Sequence, residues 1–591
     1  ETIVHNRLAT INATHKHWNE GIRSVGFEMS SSLPSASACM HFHSRFFPDG
    51  TECKSTSTSS QRCETVTFEF ARDFRSLQLE LVMAPHESPR NGYAVVQTPP
   101  AYAHDEPMLN IEDRSLKPTW IVYSSVGIAM LEAFHYGWSN SQVNLSTFSN
   151  TDECNARPVE EGTCLMFPGH THTTWTLLVN AWIVGGMFGS LLSGFPSNKW
   201  GRRTTLRFNA IIMVLGSVIQ VVANNPTWFS AGRFVTGVAN GVAMAVVNTF
   251  LNEISTPHNR HALGTNTHLA ATLGIFGVAT TFWYWNTTSG FRWIAGMPIV
   301  FAAGFVVMSF FFMVESPVWL VANGKDEEAE KELARLYGKQ NVNVMMGWIQ
   351  ANDRRSKLPS MLSGVSDKVH TETNWTILTN KKFRKPLVIA LGLTCINQLV
   401  GINAVFFYSS SILKDAGISD SRVGLMIIDI LNVVPVPIAA ALTKVMRKRT
   451  MLMSGIFVMV LCCIGMTFSL VYSVGWLSIV FLGVFVVGYD LSIGPLLWPI
   501  VAELFADSAR GAAVGICITM KWICSLIVGI GFPYVEEAIT NYSFTPFLGT
   551  TILSIIFIYF MVPETSDKTI AEIQDGFRSD HSVQSSSKSQ I

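Results

Sequence analysis

Residues 387–408 read LVIALGLTCINQLVGINAVFFY, a stretch that contains no Asp, Glu, Lys or Arg. About 22 residues in a helix rise roughly 33 Å, which is enough to cross the hydrocarbon core of a bilayer. Its apolar side chains can face lipid, but the amides of Asn397, Gln398 and Asn403 would be costly there. The stretch therefore predicts a membrane-spanning helix with one polar face turned toward a protein interior.

The rest of the chain repeats this exclusion of charge. Of its 591 residues, 48% are hydrophobic and 14% are charged, whereas soluble proteins are about 25% charged. We predict an all-α membrane protein with twelve spans in two six-helix bundles. The predicted spans are Thr119–Trp138, Thr174–Ser193, Thr205–Ala223, Ser230–Leu251, Ala262–Tyr284, Trp293–Val314, Leu387–Tyr408, Val423–Leu442, Met451–Val471, Leu477–Val501, Ala512–Ile530 and Phe544–Val562.

The charges that remain predict the orientation of the chain. Its 42 basic and 42 acidic residues balance, which excludes a nucleic-acid partner because binding phosphates requires a cationic excess. Lys and Arg collect in the even-numbered connections, above all in residues 315–386. Because such loops stay in the cytoplasm, we predict that both termini are cytoplasmic.

Five regions follow from this pattern. We expect a disordered region at 1–118, bundles at 119–314 and 387–562, a cytoplasmic linker with short helices at 315–386, and a cytoplasmic tail at 563–591. Residues 1–82 are hypothesised to be non-native, with Met83 as the start. In the linker, Asp326 to Tyr337 forms an amphipathic pattern that predicts a surface helix against the bundle, with one apolar face. That face consists of Ala329, Leu333, Leu336 and Tyr337.

The predicted exterior loops contain candidate modification sites. Three Asn-X-Ser/Thr sequons predict glycosylation. Two cysteines in one exterior loop are candidates for a disulfide, with two free thiols as the alternative. The residues are Asn144, Asn286 and Asn541 for glycans, and Cys154 and Cys164 for the disulfide.

Charged motifs recur at the predicted cytoplasmic helix ends. They are Asn198, Gly201, Arg202 and Arg203 after the second span, Gly232-Arg233 in the fourth, Glu253 seven residues before Arg260, Glu503 seven before Arg510, Glu315-Ser-Pro317 and Pro563-Glu564-Thr565. Together with Gln398-Leu-Val-Gly-Ile-Asn403, they resemble the sugar-porter family of the major facilitator superfamily, and within it the animal facilitative glucose transporters.

This resemblance implies alternating access at the plasma membrane, in which the two bundles rock about a central site. The charged motifs would then form salt bridges that latch the cytoplasmic helix ends while the cavity faces outward. A simpler interpretation is that they only anchor the helix ends in the interface. The expected partners are a small sugar and the lipid bilayer, and the sequence does not predict an oligomeric state.

A sugar site needs amides for hydroxyl groups and aromatic rings for the apolar face of the sugar. The residues predicted to bind substrate are His268, Asn397, Gln398, Asn403, Phe406, Asn432, Asp490, Trp498, Lys521 and Trp522. Of these, His268 and Lys521 stand where the family has a sugar-binding Gln and an Asn. One hypothesis is that Asp490 or Asp429 neutralises Lys521, and the alternative is that Lys521 and His268 attract an anionic substrate.

The mode of transport is predicted from Ser139, which stands where proton-coupled members of the family place an Asp. We therefore expect facilitated diffusion, with proton coupling through Glu132, His135, Asp429 or Asp490 as the alternative. A sugar sensor that does not transport is a further alternative, but the tail is short for signalling. The chain has no enzyme motif, no ATP-binding glycine-rich loop and no motif for a cofactor or metal.

Overall fold

The computed structural model describes residues 40–42, 64–69, 78–83, 116–149, 154–155, 164–256, 260–350, 374–415, 420–505, 507–566, 568, 572–573 and 576–577. The chain divides into two compact units, residues 1–103 and 104–591. The twelve predicted spans all fall in the second unit.

Three short strands form an antiparallel sheet in the first unit, in the order β1 (Met40–Phe42), β3 (Gln78–Met83) and β2 (Glu64–Glu69). Apolar and polar residues alternate in β2 and β3, which is the pattern of a strand with one apolar face. These strands are an exception to the disorder predicted for 1–118. Residues 1–39, 43–63, 70–77 and 84–115 lie outside the described residues, and there the prediction remains a prediction.

The second unit is helical, and its helices follow the predicted spans. Among the described residues, nine helical segments are long and apolar enough to cross a membrane, and Thr545–Met561 is a shorter apolar helix. The first six spans are Trp120–Ser141, His172–Leu192, Arg202–Val222, Pro226–Ile254, Arg260–Thr281 and Gly290–Phe312, here called the N-terminal half. The last six, the C-terminal half, are Arg384–Leu399 with Ile402–Asp415, Ser421–Val433 with Pro435–Leu442, Lys448–Val471, Gly475–Asp490 with Ile493–Leu504, Asp507–Ile539 and Thr545–Met561.

The first and fifth spans are long enough to cross a bilayer but less apolar than the others, because they carry polar residues that face the protein. Glu132 in the first span is fully buried and accepts a hydrogen bond from Asn209 Nδ2 at 3.1 Å. Large apolar side chains instead cover the outer surface, where Phe311 and Phe560 are 67% and 76% exposed. The helices thus bury polar groups and expose apolar ones, as expected for a protein in lipid.

The connection between the halves packs against the N-terminal half. The helix Asp326–Tyr337 forms as the sequence predicted, and its buried residues are Ala329, Leu333, Leu336 and Tyr337. Tyr337 donates its hydroxyl to the carbonyl of Ile254 at 2.6 Å, and the Thr119 hydroxyl donates to the carbonyl of Arg335 at 2.6 Å. We call this side of the molecule the linker face. Short helices nearby are Gly194–Trp200, Pro317–Ala322, Lys339–Asn341, Asn374–Thr379 and Lys381–Phe383.

The opposite side, here called the disulfide face, contains the loop in which Cys154 and Cys164 are joined in a disulfide. Two short helices lie on this side, Ser146–Ser149 between the first two spans and Thr540–Tyr542 between the last two. The disulfide closes a loop of ten residues and fixes the connection between the first two spans.

Three spans of the C-terminal half are interrupted. The tenth span stops at Asp490 and resumes at Ile493, beside the Gly494-Pro495 pair that predicted a break. The seventh is interrupted at Gly401, whose φ of +101° favours glycine. A Cβ at Gly401 would also lie 2.6 Å from the ring of Phe547. At these breaks the backbone N–H groups of Gly401 and Ser492 still donate locally, to the carbonyls of Gln398 and Tyr489.

Candidate functional site

The charged residues of the linker face form a network in the N-terminal half. Arg202 makes two hydrogen bonds of 2.7 Å to the carboxylate of Glu253, which belongs to the next span. The carboxylate of Glu315 accepts the backbone N–H groups of Arg202 and Arg203 at 2.7 and 3.1 Å. Because Arg202 and Glu315 are buried and Glu253 is nearly so, these contacts fix the ends of four helices.

The C-terminal half has a smaller counterpart. Lys448 forms an ion pair with Glu503. Arg510 donates to the carbonyl of Ala502 at 2.9 Å. Two other predicted residues form hydrogen bonds outside these ion pairs. The carboxylate of Glu564 accepts the backbone N–H of Ser566, and the backbone carbonyl of Asn198 accepts the Nε1–H of Trp319.

These ion pairs lie within the halves. Arg202 and Glu253 both belong to the N-terminal half, and Lys448 and Glu503 both belong to the C-terminal half. The side chain of Arg260, which the sequence assigned to the same network, lies outside the described residues. In this conformation the described pairs hold each bundle together at the linker face.

The position predicted for Arg233 is wrong. The fourth span begins at Pro226 on the disulfide side, so Arg233 lies eight residues into the helix and far from the linker face. It is fully buried, and its guanidinium donates to the carbonyls of Ser139 at 2.8 Å and Val179 at 3.2 Å. Among the described residues no carboxylate pairs with it, and it therefore takes no part in the salt bridges of the linker face.

Asn144 is not accessible for glycosylation. Its side chain is 3% exposed and lies between the halves, where Nδ2 donates to Ser409 Oγ at 2.9 Å. Its Oδ1 accepts from the N–H and hydroxyl of Ser410. The sequon lies in the connection between the first two spans, as predicted, but a sequon carries no information on how deeply its asparagine is buried. Asn541 is exposed and Asn286 is partly exposed, so those two sites remain predictions.

The amides of the seventh span form one hydrogen-bonded chain. Gln398 Nε2 donates to Asn397 Oδ1, and Asn403 Nδ2 donates to Gln398 Oε1 at 2.6 Å. At its two ends the chain reaches other spans, through Asn397 to Tyr489 Oη at 2.9 Å and through Asn403 to Ser525 Oγ at 2.9 Å. All three amides face the bundle interior, as predicted, and they connect the seventh span to the tenth and eleventh.

A polar contact crosses between the halves beside this chain. His268 Nε2 of the fifth span lies 2.9 Å from Asp490 Oδ1 of the tenth. The hypothesis that Asp490 or Asp429 neutralises Lys521 is wrong, because neither forms an ion pair with it. Instead Lys521 Nζ lies 4.9 Å from the centre of the Tyr136 ring in the first span.

Aromatic rings meet at the same boundary. Trp522 packs 5.9 Å from Tyr136 and 5.3 Å from Trp182, both in the N-terminal half. A Cβ at Gly186 would lie 2.4 Å from the Trp522 ring, so glycine permits this approach. Trp498 is partly buried after the break in the tenth span, and Phe406 is buried in the seventh.

Two predicted residues have buried polar atoms that bind nothing in the protein. Asn432 is fully buried, and neither its Oδ1 nor its Nδ2 has a hydrogen-bond partner. Asp490 is also fully buried, and its Oδ2 has none. The helices that carry them, Ser421–Val433 and Gly475–Asp490, pack against each other. Unpaired buried groups are costly, so these atoms are suited to bind a polar ligand.

The sequence did not identify several residues that complete this arrangement. Tyr489 and Ser525 extend the amide chain, and neither stands out because hydroxyl residues are common in helices of this kind. Asn180 donates to the carbonyl of Gly529 across the halves at 3.0 Å. A polar residue in a predicted span was the available signal for Asn180.

Comparisons with known proteins agree with this architecture. A family model described as sugar (and other) transporter matches residues 120–577. The facilitated glucose transporter member 3 of solute carrier family 2 from Canis lupus familiaris is 30% identical over 478 residues, covering 78% of this chain and 93% of that protein. The probable metabolite transport protein CsbC from Bacillus subtilis is 31% identical over 429 residues, covering 71% of this chain and 90% of that protein.

The fold is similar to that of a solved structure, the xylose transporter XylE from E. coli in a partially occluded inward-open conformation. The TM-score is 0.63 at 20% identity, with 76% of this chain and all of that chain covered. At this identity the likeness shows the fold, the twelve-helix architecture of the major facilitator superfamily. The chain is therefore an integral membrane protein that belongs to the sugar (and other) transporter family, whose members are transporters rather than enzymes.

Proposed function

We propose that this chain carries a hexose across the membrane by facilitated diffusion, with alternating access to one site between the halves. The observation that carries the proposal is the set of unpaired polar atoms on Asn432 and Asp490, which lie on two helices that pack against each other. Tyr489, the neighbour of Asp490, is bonded to the amide chain of the seventh span. A hexose offers hydroxyl groups that both donate and accept, so it can pair with amide and carboxylate atoms alike. Trp522 and Trp498 supply apolar rings near these groups.

The contacts between the halves support a conformation that is closed at the disulfide face. Asn144 binds Ser409 and Ser410, and Asn180 binds Gly529. On the same side, the rings of His172 and Tyr534 are 5.6 Å apart. The two described ion pairs of the linker face, Arg202 with Glu253 and Lys448 with Glu503, each join residues of one half and so would not resist separation of the bundles there. Rocking of the bundles that breaks the contacts at the disulfide face would open the site to that side.

Facilitated diffusion is favoured over proton coupling by the surroundings of Arg233. The residue that stands where proton-coupled relatives have Asp is Ser139, and it meets Arg233 only through its backbone carbonyl at 2.8 Å. A serine hydroxyl does not titrate in the physiological range, so this contact cannot gain or lose a proton as a carboxylate would. Glu132, an alternative proton carrier, binds Asn209 within the N-terminal half and does not reach the other half through that bond.

The proposed orientation places the linker face and both termini in the cytoplasm, at the plasma membrane. Among the described residues, Lys and Arg of the even-numbered connections, such as Lys199, Arg203 and Lys325, lie on the side of the linker face and support this sidedness. The disulfide lies in the first exterior loop of this arrangement, in keeping with an oxidising exterior. Asn286 and Asn541 are the proposed glycosylation sites.

The test is uptake of radiolabelled glucose into proteoliposomes that contain the purified chain. We expect saturable uptake down the concentration gradient, equal in the presence and absence of a pH gradient. Gln398→Ala should reduce it strongly, whereas Gln340→Ala, an exposed glutamine of the linker, should leave it unchanged. Saturable binding of glucose without any flux would favour a sensor, and uptake that stops when the pH gradient is dissipated would contradict facilitated diffusion.

A further inference from the structure

We propose that Lys521 forms a subsite for a carboxylate, so that the preferred substrate is an acidic sugar such as a hexuronate. This inference rests on the proposed function, because it names the substrate class of the same site. It concerns an ionisable residue whose contacts do not neutralise its charge, and such residues in membrane spans commonly mark substrate pathways.

The ammonium of Lys521 has no anionic partner among the described residues. Its Nζ lies 4.9 Å from the centre of the Tyr136 ring. A ring face attracts a cation but accepts no conventional hydrogen bond, so the three N–H donors of the ammonium stay available. The residue is partly exposed rather than buried, which is compatible with contact between its side chain and a ligand.

The two acids considered as counter-ions for Lys521 are engaged elsewhere or buried. Asp490 holds His268 across the halves at 2.9 Å. Asp429 is 4% exposed and forms no ion pair with Lys521 within the described residues. The positive charge of Lys521 is thus free to pair with a carboxylate that enters with the substrate.

The position of Lys521 fits a ligand that combines a carboxylate with hydroxyl groups. Ser525 follows one helical turn later, about 6 Å along the axis, and its hydroxyl receives the hydrogen bond from Asn403. Lys521 is therefore one helical turn away from the residue at which the amide chain ends. A hexuronate could place its carboxylate at Lys521 and its ring hydroxyls along the amides, whereas a simple inorganic anion would leave the amides and Asn432 unused.

One ammonium also predicts a single negative charge on the substrate. Transport of a monoanion moves charge, and transport of neutral glucose does not. An imposed membrane potential of 100 mV should shift the equilibrium distribution of a monoanion by roughly 50-fold, and should leave that of glucose unchanged. Dependence on the potential therefore identifies a charged substrate without relying on affinity.

The experiment measures uptake of glucuronate and glucose, each with and without an imposed potential, in proteoliposomes containing the full chain. We expect saturable glucuronate uptake that depends on the potential. Loss of a hydrogen bond to a charged group predicts that Lys521→Gln weakens glucuronate binding by about 10- to 100-fold, while glucose uptake persists or increases. Lys521→Arg should retain glucuronate uptake, and Lys444→Gln, an exposed lysine of the linker face, should behave as the wild type.

The outcomes separate this inference from the proposed function. Glucose uptake without any glucuronate uptake, or glucuronate uptake that Lys521→Gln leaves intact, overturns the carboxylate subsite and leaves sugar transport standing. Absence of uptake of either sugar by a folded wild-type protein overturns both. Lys521→Arg keeps the positive charge. If Lys521→Arg retains glucuronate uptake and Lys521→Gln loses it, the result supports the subsite even if Lys521→Gln is less stable.

Discussion

Replacement of Asn432 by leucine should raise the stability of the protein and lower its affinity for sugar. Leucine has the same branching of heavy atoms as asparagine, so it can occupy the position with little rearrangement. In the ligand-free protein both amide atoms of Asn432 are buried and unpaired. Each such group costs about 1–3 kcal/mol, and its removal should increase the melting temperature of the purified protein.

The same substitution should destabilise the complex with sugar, because the leucine cannot form hydrogen bonds with it. Two hydrogen bonds to a sugar are worth about 2–3 kcal/mol in total, which corresponds to a loss of affinity of roughly 30- to 150-fold. Thermal unfolding monitored by fluorescence gives the first quantity, and the concentration dependence of glucose uptake gives the second. A variant that gains stability while it loses affinity cannot be explained by damaged folding.

Asn240 provides a matched control. It is also fully buried with both amide atoms unpaired, but it lies in the fourth span, in the N-terminal half, whereas the amide chain belongs to the C-terminal half. Asn240→Leu should therefore raise the melting temperature without changing glucose uptake. The reasoning is refuted if Asn432→Leu transports glucose with unchanged affinity, or if both variants lose affinity equally.

Three further predictions concern contacts outside the amide chain. Asn144→Ala should speed hydrogen exchange in the second half of the seventh span at the disulfide face, and should leave the glycan mass unchanged; slower exchange or a lost glycan would contradict its buried position. Cys395 and Cys524, whose sulfurs lie 3.7 Å apart, should form a disulfide on mild copper-catalysed oxidation, found by peptide mass analysis; persistent free thiols would contradict the packing of the seventh span on the eleventh. Glu253→Ala should lower the free energy of unfolding by about 3 kcal/mol or more, and with it the melting temperature, because it leaves the guanidinium of Arg202 without its anion. An unchanged melting temperature would show that the pair does not stabilise the fold.

The twelve spans were predictable from the sequence because a helix needs about 20 residues to cross the hydrocarbon core, and charged side chains are excluded from it. The linker helix was predictable for a similar reason, since its apolar residues repeat with the period of a helix. The breaks were partly predictable: Gly494-Pro495 indicates one, whereas nothing local distinguishes Gly401 from other glycines. Its positive φ and the close approach of Phe547, a residue of the last span, both appear only in the folded chain.

The pairing of site residues was not predictable, because hydropathy carries no information on which spans are neighbours. Both His268 and Asp490 were singled out by their types, but only the packing of the fifth span against the tenth brings them together. The same limit explains the wrong counter-ion for Lys521. For Asn144, a sequon carries no information on burial. The residue follows the turn after the first span and is buried between the halves.

The most direct measurement of the central claim is a structure of the full chain with bound sugar, determined by electron cryomicroscopy. We predict density for one sugar between the two halves, in contact with Gln398 and Asn432 and within hydrogen-bond distance of Asp490. Density at another place, or an Asn432 side chain that faces the bilayer, would contradict a site built from these residues.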